Sequence, residues 1–132
     1  MKWLFKHLQN LSKRRSKRFW GKDKALVSFA IPHAPDVVTL GQVIDINERG
    51  LSFRYIAQDV RTEGLKELKL FGYGDSDASL EKMPVRIIYD IEVKKKYFLS
   101  LPSMRRCGAE FGELSARQLS QLKNFIKKYA VL

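Results

Sequence analysis

The 132-residue sequence predicts a mainly β domain: a small antiparallel barrel or sandwich with one helix packed on it. Three observations carry this. Apolar and polar residues alternate in short runs between residues 24 and 111, clusters of turn residues separate the runs, and helical spacing closes the chain. A two-residue period marks half-buried strands, and a 3.6-residue period marks an amphipathic helix.

Residues 2–12 place Leu4, Leu8 and Leu11 at helical spacing beside Trp3 and Phe5, with Lys2 and Lys6 off the stripe. This predicts a short amphipathic helix, which at that length needs something to dock on. The run Lys13, Arg14, Arg15, Lys17, Arg18 has no apolar period and reads as a linker. In "ALVSFAI", Val27, Phe29 and Ile31 share one face, and Pro32 and Pro35 end the strand. "VTLGQVIDIN" follows, then "GLSFRYIA" with Leu51, Phe53 and Tyr55 aligned. "LKELKLFG" aligns Leu68 and Leu70, and "GYGDSDAS" reads as a plain loop. "PVRIIYDIEV" aligns Val85, Ile87, Tyr89 and Ile91, "KKKYFLSLP" aligns Tyr97, Leu99 and Leu101, and "RRCGAEFGE" aligns Cys107, Ala109 and Phe111. Ser115 and Gln118 then form a capping box. Leu119, Leu122, Ile126 and Tyr129, with Phe125, make the apolar stripe of a helix over 115–130. Residues 1–23 are thus a helix and basic arm, and 24–132 a β domain with its closing helix.

The charge is uneven. Of the net +11, residues 1–24 hold +8 (nine Lys/Arg, one Asp) and the remainder +3. A basic arm on a near-neutral body seeks phosphate: a nucleotide, nucleic acid or an anionic membrane face. A lone cysteine, Cys107, excludes an intramolecular disulfide and fits a reducing compartment. No run approaches a membrane span and the N-terminal apolar run is too short for a signal peptide, so a cytoplasmic protein is expected. His7 and His33 stand far apart without a metal-like cluster, and no phosphate-binding glycine loop precedes a helix. Cys107 is in core register. The sequence therefore predicts no catalytic residue, no metal site and no cofactor.

"IDINERGLSF", residues 44–53, is the second feature with chemical content. Alternation turns Ile44 and Ile46 one way and Asp45 and Asn47 the other, a carboxylate and an amide side by side on the outer face. Gly50 is expected to supply the backbone freedom of the tight turn that follows.

Arg14-x-x-x-Arg18 before the first strand, followed 27 residues after Arg18 by Asp45-x-Asn47-x-x-Gly50, resembles the PilZ family of cyclic di-GMP receptors, whose pattern is RxxxR and then (D/N)xSxxG. "GQVIDINERGLSFRY" and "MRRCGAEFGELSARQLSQL" are similar to family members too, so the resemblance covers residues 13 to 129. It implies an antiparallel barrel of about six to seven strands with a C-terminal helix, and cyclic di-GMP as ligand. Arg14 and Arg18 would hold its phosphates and guanines through bidentate and stacking contacts. Asp45 would accept from guanine N–H groups, and Gly50 would let the turn approach the ligand. Asn47 departs from the family's serine; it still carries a donor, with different geometry. Lys13 and Arg15 are auxiliary candidates. Arg105 and Arg106 alternate in facing, so at most one meets the ligand, and Arg105 is the third auxiliary candidate.

The resemblance further implies an arm that folds over the barrel on binding and alters contact with an effector protein. Two readings of other classes stand beside it. One is a PilZ fold that binds no nucleotide and serves as an interaction module. The other is nucleic-acid or anionic-membrane binding through the basic arm, the membrane contact running through residues 2–18. Specific nucleic-acid binding is not expected, because the strand aromatics fall mostly in core register and the body is near neutral.

Overall fold

The computed structural model describes residues 19–21, 25–57, 61–73, 75–93 and 103–131. The expected helix at 2–12, the basic run at 13–18 and the expected strand through Tyr97, Leu99 and Leu101 lie outside the described residues.

The elements run β1 (Phe19–Gly21), β2 (Ala25–Phe29), β3 (Thr39–Ile46), β4 (Gly50–Ala57), β5 (Glu67–Gly72), β6 (Asp75–Glu92), β7 (Ser103–Phe111), α1 (Ala116–Tyr129) and β8 (Ala130–Val131). Six strands pair in the order β2-β5-β6-β7-β4-β3, and β3 pairs back onto β2, so the antiparallel sheet closes into a barrel. Closure leaves no long edge exposed. The expected barrel is therefore present, with β1 and β8 added: β1 pairs with the far half of β3, and β8 with β1.

Alternation does what the sequence analysis expects along β2, β4, β5 and β7. Val27, Phe29, Leu51, Phe53, Tyr55, Leu68, Leu70, Cys107, Ala109 and Phe111 all fall inside. Phe29 packs against Phe53 and Tyr55 at centroid distances of 5.6 and 5.5 Å. After β2 the chain turns, with Ala34 N–H donating to the Ile31 carbonyl, where the two prolines deny strand hydrogen bonds. "GYGDSDAS" is a correction: most of it is strand, since β6 begins at Asp75 and pairs with Gly72 across a short turn.

β6 corrects a second expectation. The ladder with β7 slips between Ile87 and Tyr89, so Ala109 faces Ile87 but Gly108 faces Tyr89. That bulge inserts Ile88 and reverses the alternation. Tyr89 and Ile91 leave the core face, and Asp90 enters it.

The capping box forms as expected. Ser115 Oγ accepts from Gln118 N at 3.1 Å, and Gln118 Oε1 accepts from Ser115 N at 3.0 Å. The helix crosses one end of the barrel and buries Leu122, Phe125, Ile126 and Tyr129, with Leu119 half-buried. Tyr129 lies on Gly72, where a Cβ would clash with its ring.

Candidate functional site

Asp45 sits where β3 bends. Val43 pairs with Phe53, yet Asp45 pairs with Ser52, so Ile44 is the extra residue of a bulge. The bulge keeps Val43 and Ile46 in the core while Asp45 points away from it. Asp45 is on the outer face of the sheet, as expected, but it is fully buried there. A cross-strand row explains its surroundings: Trp20, Asp45, Ser52, Gly108 and Tyr89 pair in succession across β1, β3, β4, β7 and β6. Ser52 Oγ donates to Asp45 Oδ1 at 2.8 Å, and Arg106 Nη2 stands 4.0 Å from Asp45 Oδ2. The Tyr89 ring lies over Gly108, where a Cβ would collide with it. Burial pushes the Tyr89 hydroxyl up to about 12, against the opposing pull of Arg106.

Asn47 corrects the expected side-by-side pair. It follows the last residue of β3, is buried, and folds into the turn rather than standing beside Asp45. Its Oδ1 accepts from the amides of Arg49 (2.7 Å) and Gly50 (3.2 Å), and its own amide donates to the Gly50 carbonyl (2.9 Å). A side-chain oxygen accepting from amides two and three residues on is a turn-forming device that serine performs as well. Asn47 Nδ2 is buried and has no hydrogen-bond partner among the described residues. Gly50 does not adopt a left-handed backbone, so the expectation that it supplies backbone freedom to the turn is corrected. Its lack of a side chain matters sterically: a Cβ there would run into the Ala109 carbonyl oxygen on β7.

Arg14 and Arg18, with Lys13 and Arg15, lie outside the described residues. What is described is the strand that follows them. Phe19 pairs with Ile46 and Trp20 with Asp45, so the end of the basic arm is laddered onto the strand of the second motif.

Arg105 faces away from this site, into the barrel. Its Nε donates to Asp90 Oδ1 at 2.7 Å and its Nη2 to the Asp90 carbonyl at 2.8 Å. Asp90 Oδ2 also accepts from Tyr55 Oη (2.5 Å) and Thr62 Oγ1 (2.7 Å). Burial alone would raise the Asp90 carboxyl, but the hydrogen bonds from Tyr55, Thr62 and Arg105 outweigh it and hold the group below its usual range. The same carboxylate raises the Arg105 guanidinium, and burial leads in raising the Tyr55 hydroxyl. Cys107, beside Thr62, is a buried thiol pushed up to about 12 by desolvation, inert as a nucleophile.

No protein-family model and no curated protein sequence matches the chain. Solved structures do. The PilZ domain of YcgR from Escherichia coli, determined with c-di-GMP, superposes with a TM-score of 0.61 at 12% identity, covering 89% of this chain and 91% of that one. The fold is that of a PilZ domain. Apo MrkH of K. pneumonia matches at TM-score 0.64 and 9% identity over 85% of this chain. PlzA of Borreliella burgdorferi, in complex with c-di-GMP, matches at 0.54 and 10% over 95%. The chain spans about half the length of MrkH and PlzA, 47% and 56%.

On this PilZ barrel two side chains of the candidate site, Ser52 and Tyr89, are new relative to the sequence reading, and of the weighed pair Arg105 and Arg106 it is Arg106 that lies on the Asp45 side. Ser52 was readable, because a two-residue turn between Asn47 and Gly50 fixes Asp45 opposite it. Arg106 followed from the opposite facing of its neighbour. Tyr89 was not readable, because its facing depends on the β6 bulge. Among the described residues no cluster of three or more His, Cys, Asp or Glu could hold a metal ion.

Proposed function

We propose that this chain is a receptor for cyclic di-GMP, bound between the RxxxR arm and the outer face that holds Asp45. The observation that carries the reading is the β1 ladder. Pairing of Phe19 with Ile46 and Trp20 with Asp45 tethers the segment carrying Arg14 and Arg18 beside the second motif. The likeness of the fold to c-di-GMP-bound YcgR and PlzA supports the choice of ligand.

Each residue then has a chemical task. Arg14 and Arg18 fork onto phosphate oxygens or the O6/N7 edge of guanine, and Lys13 and Arg15 add charge. Asp45, oriented by Ser52, accepts from guanine N1–H or N2–H. Asn47 shapes the turn and keeps one donor for the ligand, while Gly50 keeps the turn seated on β7. Asp45 is fully buried, so the ligand reaches it only when its cover moves. That requirement makes the arm a switch, and its new position alters contact with an effector protein.

Calorimetric titration of cyclic di-GMP tests the proposal, using the wild type, Arg14→Ala with Arg18→Ala, and Asn47→Ser. Micromolar or tighter binding by the wild type that the double variant abolishes is the expected result. Absence of binding by all three overturns it and leaves a PilZ fold used as an interaction module, a reading favoured by the burial of Asp45.

A further inference from the structure

Beyond the Asp45 row, the same outer face of the barrel turns apolar. Leu40 on β3 and Ile56 on β4 are the next residues beyond the Gly41–Tyr55 pair and line one groove, Ile56 pairs with Met104 on β7, and Val93 after β6 donates its amide to the Met104 carbonyl. Leu40 is 61% exposed, Ile56 50% and Val93 41%, with Ile91 (37%) beside them. A groove of about 260 Å³ runs through this face, lined by Leu26, Leu40, Gln42, Arg54, Ile56 and Met104. Its polar border is the Arg54–Gln42 pair, with Nη2 to Oε1 at 2.6 Å. A contiguous apolar row on a sheet face otherwise lined by Arg54, Arg106 and Arg86 marks a contact surface rather than chance exposure.

We propose that this row is the docking site of the chain's own segment 2–12, through Leu4, Leu8 and Leu11. Reach, dimensions and chemistry support it. β1 is antiparallel to β3 and starts at Ile46, so the chain comes to it from the Asn47 end of the face. Six residues, 13–18, extend up to about 20 Å. The six steps along β3 from Ile46 back to Leu40 are also about 20 Å. An arm folded back across the Asp45 row therefore delivers segment 2–12 to the apolar row. Four strands side by side span about 14 Å, and eleven helical residues about 16 Å. Leucines three and four apart stand about 4.5 and 6 Å apart along such a helix, close to the strand spacing of about 4.8 Å. A helix this short is marginal alone and needs an apolar seat. The row is such a seat within reach.

The proposal goes beyond nucleotide binding and needs no nucleotide. Its test is oxidation of the full chain carrying Leu8→Cys with Ile56→Cys, compared with Lys6→Cys with Ile56→Cys, without nucleotide. Leu8 is on the stripe and Lys6 on the opposite side, while Cys107 is buried and does not compete. Docking predicts a disulfide within the monomer, roughly tenfold more for the Leu8 pair than for the Lys6 pair at the effective concentration of a short tether. Equal yields overturn it, since an undocked arm samples both. Cross-linked dimers overturn it in favour of a second copy. Low internal yield with Leu8→Ser-sensitive binding to phosphatidylglycerol vesicles overturns it in favour of a lipid surface. A negative result leaves the receptor reading standing, and a failed titration leaves the docking standing.

Discussion

Arg105 and Arg106 are neighbours in sequence and lie on opposite sides of one sheet, each facing an aspartate. Inside, Arg105 is 2.7 Å from Asp90, and the two side chains are 10% and 14% exposed. Outside, Arg106 is 4.0 Å from a fully buried Asp45 and keeps 30% exposure. The inner carboxylate has its oxygens engaged by Arg105, Tyr55 and Thr62, geometry that leaves nothing for a ligand. The outer pair is long and half-open. In the receptor reading the saturated inner pair only holds strands together, whereas the longer outer one, beside the basic arm, exchanges partners when the ligand binds. The same two residue types thus make a short, enclosed pair on one face and a longer, more open one on the other.

Asp90→Ala breaks this comparison most severely. It leaves the Arg105 guanidinium buried without its carboxylate, which costs about 3–5 kcal/mol, read as a fall in the urea midpoint. Arg106→Ala removes a more distant partner, 4.0 Å from Asp45 and partly exposed, and should lower the urea midpoint by less than Asp90→Ala does. Equal losses would erase the distinction between the two faces. The inner network also sets the acid limit. The Asp90 carboxyl is lower folded than unfolded, so its stabilisation is fully present above the ordinary value of 3.8 and is lost as pH falls through the folded value. Unfolding followed below pH 4 should show a shallower acid limb in Asp90→Asn than in the wild type.

Gly108→Ala strikes the outer row from beneath. The new Cβ collides with the Tyr89 ring, an overpacking that costs about 1–3 kcal/mol. In the receptor reading it also weakens cyclic di-GMP binding, because the ring displaced is part of the row that holds Asp45. A thermal melt and a titration on one sample separate the two effects, and loss of stability with intact affinity would remove Tyr89 from the site.

The barrel was legible because four strands keep strict alternation from end to end: Val27 to Phe29, Leu51 to Tyr55, Leu68 to Leu70, Cys107 to Phe111. The capping box was legible because its two hydrogen bonds are local. What escaped was the change of parity. A bulge is one extra residue in a run that still reads as apolar, and neither Ile44 nor Ile88 differs in type from its neighbours. The cost fell on the residues after each bulge: Tyr89 was expected in the core, and Asp90, the centre of the inner network, was not noticed. Asp45 was placed on the outer face by alternation alone, and the structure reaches the same facing through a bulge. Its burial was not legible, since burial depends on what lies across the strand, and the basic run hid the backbone ladder that begins at Phe19.

Asn47→Ser has the smallest expected effect and sharpens the comparison most finely. The asparagine oxygen holds the amides of Arg49 and Gly50, and a serine hydroxyl can accept from the same positions. The amide nitrogen is buried with no partner among the described residues, and a buried unmet donor costs about 1–3 kcal/mol. Deleting it offsets the small void that serine leaves. Stability by urea denaturation should therefore change by about 1 kcal/mol or less. A loss well beyond that would mean the nitrogen is engaged by the arm, and residues 13–18 would then lie against the turn without ligand. A null change in stability with altered cyclic di-GMP affinity would place Asn47 with Asp45 among the groups that meet the ligand in the receptor reading.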